Sequence, residues 1–308
     1  MKNNNSMSGF KIGLVLPGGG ARGSYQLGVM LAMKKFGLIK NVSALSGGSI
    51  GSFSIISFLM DDFRKAYYTF KSMNSQRVLG YKDGLKNKVP IRGRGMFSRA
   101  PLVSFIDKYF DLAKYVNTDI PLYVSVAKVE KHKLKSYYSP AYFKINNLSH
   151  ERVTSILLAS SAIPRVFDEV KIAGNTYVDC LKADNEPFLP LLAYDLDALF
   201  VIPLTSSHDI KKYADVNIPV VDFESLELRN SPLLNMIGFE EEKVDLYLNC
   251  GYFNAVALLQ SLFKNAKNFK KGKFQLPRYS SLVTENIKIV PYRILNIDEI
   301  LSDVEKGA

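Results

Sequence analysis

Two glycine-rich turns, each following a short apolar run, hold the residues best suited to chemistry. In the second, Gly47-Gly48-Ser49-Ile50-Gly51 fits G-x-S-x-G, a pattern in which a sharp strand-to-helix turn projects a serine oxygen from a sheet edge as a nucleophile. Small residues on both flanks permit that crowding, and a helix N-terminus behind the serine favours developing negative charge. In the first, Pro17-Gly18-Gly19-Gly20-Ala21-Arg22-Gly23 fits G-x-G-x-x-G through Gly18, Gly20 and Gly23. A dinucleotide site would also need a carboxylate at the end of the next strand to bind ribose hydroxyls. That strand ends in Ser46-Gly47-Gly48-Ser49, and the Gly-Lys-Ser/Thr of a phosphate-binding loop is absent. The turn has another use: backbone N–H groups at a helix start have no intrahelical partner, and residues without Cβ let them approach the oxyanion of an attacked acyl carbonyl.

A serine nucleophile needs a base. Of three histidines, His132 lies between Lys131 and Lys133, His150 precedes a helix, and His208 follows a strand. The order Ser49, Asp179, His208 is that of an α/β-hydrolase triad. A carboxylate can also act directly, and Asp179 ends the hairpin-like run 170–178 before the polar stretch 182–187. On residue types alone, both bases stay open.

The elements around these turns read as β-α-β-α. Lys11 to Leu16 is a short apolar run. Ser24 to Phe36 carries Leu27, Met30, Leu31, Met33 and Phe36 at roughly helical spacing. Val42 to Ser46 is a second strand, with an apolar helix from Ile50 to Met60 behind it. Further strands are expected at 121–128, 132–138, 170–172, 198–202 and 219–223, and helices at 100–110, 151–160 and from 240 to about 263. Strands alternating with helices predict a mostly parallel sheet covered on both faces.

The 308 residues are 47% hydrophobic, enough to fill a core. Two cysteines, Cys180 and Cys250, make neither a disulfide framework nor a zinc pattern, which fits a reducing, cytoplasmic setting. The first nine residues are expected to be a disordered tail without a signal peptide's apolar stretch, and no apolar run is long enough to span a membrane. The net charge of +11 is uneven: Arg64 to Arg99 holds ten basic residues and one acidic. With four glycines and Pro90 between Gly80 and Gly95, the segment reads as an exposed basic loop. Such a loop suits anionic lipid headgroups. It matches no nucleic-acid motif, so no nucleic-acid partner is expected.

Taken together, the blocks resemble the patatin-like phospholipases. The turn Gly18 to Gly23 is similar to that family's oxyanion motif, and Gly47 to Gly51 to its nucleophile elbow. Ala159-Ser160-Ser161-Ala162-Ile163-Pro164, then Tyr177-Val178-Asp179, resembles the block leading to its catalytic aspartate, and Asn185-Glu186-Pro187 its Asn-x-Pro. The resemblance covers about residues 10 to 190. It implies a three-layer α/β/α sandwich, a Ser49–Asp179 dyad without histidine, and an oxyanion hole at Gly18, Gly19, Gly20 and Ala21. Arg22 would lie beside that hole, supporting the oxyanion or holding a lipid phosphate. The substrate would be a phospholipid or another acyl-ester lipid, with no cofactor or metal, and the basic loop would touch an anionic membrane peripherally. The implied organisation is one hydrolase domain from residue 10 to 308, with a basic insertion at about 64–99 and a C-terminal helical extension from about 240.

One position departs from the pattern. The family has glycine after the aspartate, and this chain has Cys180. If that position requires positive φ, Cys180 strains it. Together with the basic loop, Cys180 motivates the alternative expectation, a catalytically weak member of the fold that binds lipid or membrane.

Overall fold

The computed structural model describes residues 9–73, 80–81, 95–132, 135–229, 240–264, 269–270, 273–287 and 293–307. The strands of its main sheet are β1 (Ile12–Leu16), β2 (Val42–Gly48), β3 (Leu122–His132), β4 (Lys135–Lys144), β5 (Val170–Ile172), β6 (Asn175–Val178), β7 (Ala198–Val201), β8 (Val220–Asp222) and β9 (Tyr279–Ser280), beside two separate two-stranded ribbons. Its longer helices are α1 (Gly23–Lys35), α2 (Ile50–Leu59), α3 (Phe63–Ser72), α4 (Ala100–Tyr109), α5 (His150–Ser160), α6 (Glu241–Lys264) and α7 (Ile297–Glu305).

The strands form one mixed sheet in the order β9-β8-β7-β1-β2-β3-β6-β5, with β4 also paired to β3. From β9 through β3 every pairing is parallel, and β3–β4, β3–β6 and β5–β6 are antiparallel. The expected strand beginning at residue 132 is thus the far arm of a long antiparallel hairpin.

Alternation along β1 separates two cores, because successive side chains point to opposite faces. Ile12, Leu14 and Leu16 join the larger core under α1 to α7, whereas Val15 faces Leu191, Leu196, Val201 and Tyr213. The second face is covered by 3₁₀ turns at Leu189–Ala193 and Ile210–Tyr213. The result is an α/β/α arrangement of three layers with one thin outer layer.

Two expectations change. The start of the basic segment is helix rather than loop: the Asp62 side chain caps α3 by accepting the Lys65 N–H at 2.9 Å. Phe63, Ala66, Tyr67 and Phe70 bury its inner face. Most of the remaining segment, and residues 1–8 of the expected tail, lie outside the described residues. Nor is the chain after residue 240 an appended extension. A Cβ on Gly28 of α1 would lie 2.1 Å from the Leu248 carbonyl oxygen of α6, so these helices cross in backbone contact and α6 is built into the core.

Candidate functional site

The site forms where β1 and β2, adjacent and parallel, both end at the same edge and turn into α1 and α2. Ser49 occupies the β2–α2 corner with φ 51° and ψ −123°, a conformation that L-residues rarely adopt. The corner is possible because Gly51 approaches the end of β1: a Cβ there would lie 1.8 Å from the Leu16 carbonyl oxygen. Ser160, at the end of α5, fixes the corner from below. Its Oγ accepts the Ser49 N–H at 2.7 Å and donates to the Ser125 carbonyl at 2.7 Å, tying the elbow to β3.

Asp179 follows β6 and is 2% exposed. Its N–H donates to the Ala162 carbonyl at 3.0 Å, which fixes the backbone beneath the carboxylate. Oδ1 accepts the Leu181 N–H at 2.9 Å. Oδ2 is buried and has no formed hydrogen bond. Burial pushes the carboxyl up to about 6, against the opposing pull of the Leu181 N–H, the Ser49 hydroxyl, Cys180 and Lys182. The Ser49 hydroxyl is thus among the groups that favour the ionised carboxyl.

Ser49 and Asp179 line one cleft with Gly18, Gly19, Gly20, Ile163, Leu181 and Asn185, enclosing about 280 Å³ that is partly open to solvent. Asn185, from the Asn-Glu-Pro stretch, holds Gly18 by donating Nδ2–H to its carbonyl at 3.1 Å. The wider surface depression bordered by Arg293, Asn296, Glu299 and Lys306 contains none of these groups. Among the described residues, no cluster of three or more His, Cys, Asp or Glu side chains could hold a metal ion.

Three placements differ from the sequence reading. Arg22 does not face the cleft: it is fully buried, and its Nη1 donates to the Leu204 carbonyl at 2.7 Å. It braces the turn from inside instead of presenting charge to a substrate. His208 does not complete a triad with Ser49 and Asp179, because both its ring nitrogens face other carboxylates, Glu186 at 3.0 Å and Asp222 at 2.8 Å. Cys180 does not strain the backbone, since it opens a 3₁₀ turn and is absent from the positive-φ residues. It is fully buried, with Sγ against Gly48 and 3.6 Å from Asn185 Oδ1.

Ser160 and Asn185 carry positioning bonds that sequence spacing alone does not assign; their only signal is the motif block each belongs to.

Comparison with known proteins places residues 14–192 in a match to the patatin-like phospholipase family. A search of the curated proteins finds no match. Among solved structures the chain is similar to VipD from Legionella pneumophila, with 15% identity and a TM-score of 0.46 over 82% of this chain and 67% of that one. Among the described residues, no helix is long and apolar enough to cross a membrane.

Proposed function

We propose that this chain, which belongs to the patatin-like phospholipase family, hydrolyses acyl esters of lipids with Ser49 as nucleophile and Asp179 as its base, within one domain spanning residues 10–308. The family's reaction is lipid acyl-ester hydrolysis. The carrying observation is that Ser49, on a left-handed elbow, and the buried Asp179 share one cleft with the Gly18–Gly20 turn.

The chemistry follows from those positions. Ionised Asp179 takes the hydroxyl proton as Ser49 Oγ bonds to the ester carbonyl carbon. The carbonyl oxygen becomes an oxyanion facing the amides of Gly19, Gly20 and Ala21, donors of a kind worth about 10²- to 10³-fold each in rate. Collapse breaks the ester C–O bond, and the proton on Asp179 passes to the departing alcohol. Water then gives a proton to Asp179 and attacks the acyl-enzyme, the Ser49 Oγ–carbon bond breaks to release the fatty acid, and the proton on Asp179 passes to Oγ, restoring the hydroxyl and the ionised carboxylate.

The reading of a weak, lipid-binding member drew on Cys180 and on the basic loop, and the 3₁₀ conformation at Cys180 removes the first of these grounds. The test is ester turnover together with fluorophosphonate labelling. Ser49→Ala and Asp179→Asn are expected to lower kcat by roughly 10⁴-fold or more, while labelling of Ser49→Ala as strong as wild type would remove Ser49 from the mechanism.

Peripheral contact with an anionic bilayer is the second part of the proposal. Both described ends of the basic segment adjoin the site. Met73 lines a small cavity with Gly20 and Ala21. The N–H groups of Met96 and Phe97 donate to the carbonyls of Arg165 and Val166 at 3.1 and 2.9 Å, just beyond the cleft-lining Ile163. Each Lys or Arg near such a surface contributes about 1 kcal/mol. Binding to phosphatidylserine vesicles is expected to weaken with salt and on removal of residues 82–94; insensitivity to both contradicts it.

A further inference from the structure

Glu186, His208 and Asp222 are each at most 6% exposed and form a single buried chain. Nδ1 of His208 faces Glu186 Oε2 at 3.0 Å, and Nε2 faces Asp222 Oδ2 at 2.8 Å. Two carboxylate partners at these distances fit an imidazolium, a ring that carries hydrogen on both nitrogens. Burial opposes that charge, but Asp222 and Glu186 outweigh it and push the ring up to about 10. Tyr213 donates to Glu186 Oε2 at 3.0 Å, Lys212 Nζ lies 3.6 Å from Oε1, and Tyr279 donates to Asp222.

Three segments meet at this ring, and two of them wall the glycine turn. Leu204, on the strand-to-loop segment that carries His208, packs so close to Gly19 that a Cβ there would lie 2.2 Å from Leu204 Cβ. The same residue's carbonyl receives Arg22. On the other side Asn185, next to Glu186, bonds Gly18 through both its backbone and its side chain.

We propose that His208 is a positioning residue of the oxyanion turn: bridging Glu186 and Asp222, it clamps the 204–208 and 185–186 segments together and so fixes Gly18 and Gly19 between them. The inference rests on the hydrolase reading for its catalytic consequence, though not for its geometry.

The test uses the full chain, ¹⁵N-labelled, and His208→Gln, which can donate to only one carboxylate at a time. In wild type both ring nitrogens of His208 are expected to stay protonated from about pH 6 to about pH 9. In His208→Gln the backbone amide signals of Gly18 and Gly19 are expected to move. On a p-nitrophenyl ester kcat is expected to fall by about 10²-fold with KM within about 3-fold. Glu186→Ala, which removes the acceptor of the Nδ1–H, is expected to do the same, and the double variant to be little worse than either single one. Should His208→Gln not fold, Glu186→Ala carries the same readouts. A folded variant with unmoved Gly18 and Gly19 amides, or with intact kcat, overturns the proposal. If wild type neither cleaves esters nor labels at Ser49, the hydrolase reading fails, and the amide signals still decide this one.

Discussion

Asn185 grips Gly18 at both ends of its backbone: its carbonyl accepts the Gly18 N–H at 3.4 Å, and its Nδ2 donates to the Gly18 carbonyl at 3.1 Å. The second bond is the shorter and depends on the side chain. Asn185→Ala is therefore expected to loosen the turn, lowering kcat by about 10- to 100-fold with little change in KM, and stability by about 1 kcal/mol. Asn185→Asp keeps the shape but loses the donor, so steady-state kinetics should show the same kcat loss. Full activity in the Asp variant would show that this donor does not hold the turn.

Ser49 stores backbone strain that a glycine would release. Ser49→Gly is expected to unfold at higher denaturant than Ser49→Ala, by about 1 kcal/mol, because both remove the hydroxyl and only glycine accepts φ 51° freely. Equal midpoints in urea would mean the elbow is not strained. Both variants should be inactive.

Cys180 occupies space that glycine would leave open. A Cβ on Gly48 would lie 2.4 Å from Cys180 Sγ, so the two residues are fitted to each other. Cys180→Gly is expected to cost about 1–3 kcal/mol without raising activity, and Gly48→Ala to be strongly destabilising alone but better tolerated beside Cys180→Gly. Additive effects in that double-mutant cycle would contradict the contact. The thiol is buried and its pKa raised by burial and by Asp179, so a thiol reagent should react with it only on unfolding.

Asp179 stood out as the base only through the family resemblance, whereas the two glycine turns and the strand–helix alternation around them were readable because each depends on local spacing. Helix α3 was equally local: Phe63, Ala66, Tyr67 and Phe70 have helical spacing. Arg64, Lys65 and Lys71 drew attention to charge instead, and a basic run on an amphipathic helix looks like a solvated loop when only charge is counted. Arg22 was misplaced because adjacency in sequence to the glycine turn does not give side-chain direction through a 3₁₀ turn into α1. The buried pairing of His208 could not be read, and chain order offered this histidine only as a triad member. Its partners lie 22 residues before and 14 after it, and it takes the pairing of β8 with β7 and the hold of Asn185 on the turn after β1 to bring the three together.

As the proposed base, Asp179 is expected to set the pH behaviour of activity and stability in opposite directions. As a base it must be ionised, so kcat/KM is expected to rise through about pH 6, the value to which burial lifts its carboxyl. For stability, the folded carboxyl holds its proton more tightly than an unfolded one at its ordinary 3.8, so between that value and about 6 the folded state binds more protons. Stability therefore falls as pH rises through this window, by about 3 kcal/mol in total. Asp179→Asn removes the ionisation. Urea unfolding should find the variant close to wild type near pH 4 and more stable above pH 6, while it is inactive throughout. A variant no more stable than wild type at pH 8 would show that Asp179 is not the desolvated carboxylate described, and an activity limb unmoved from pH 4 would remove it as the base.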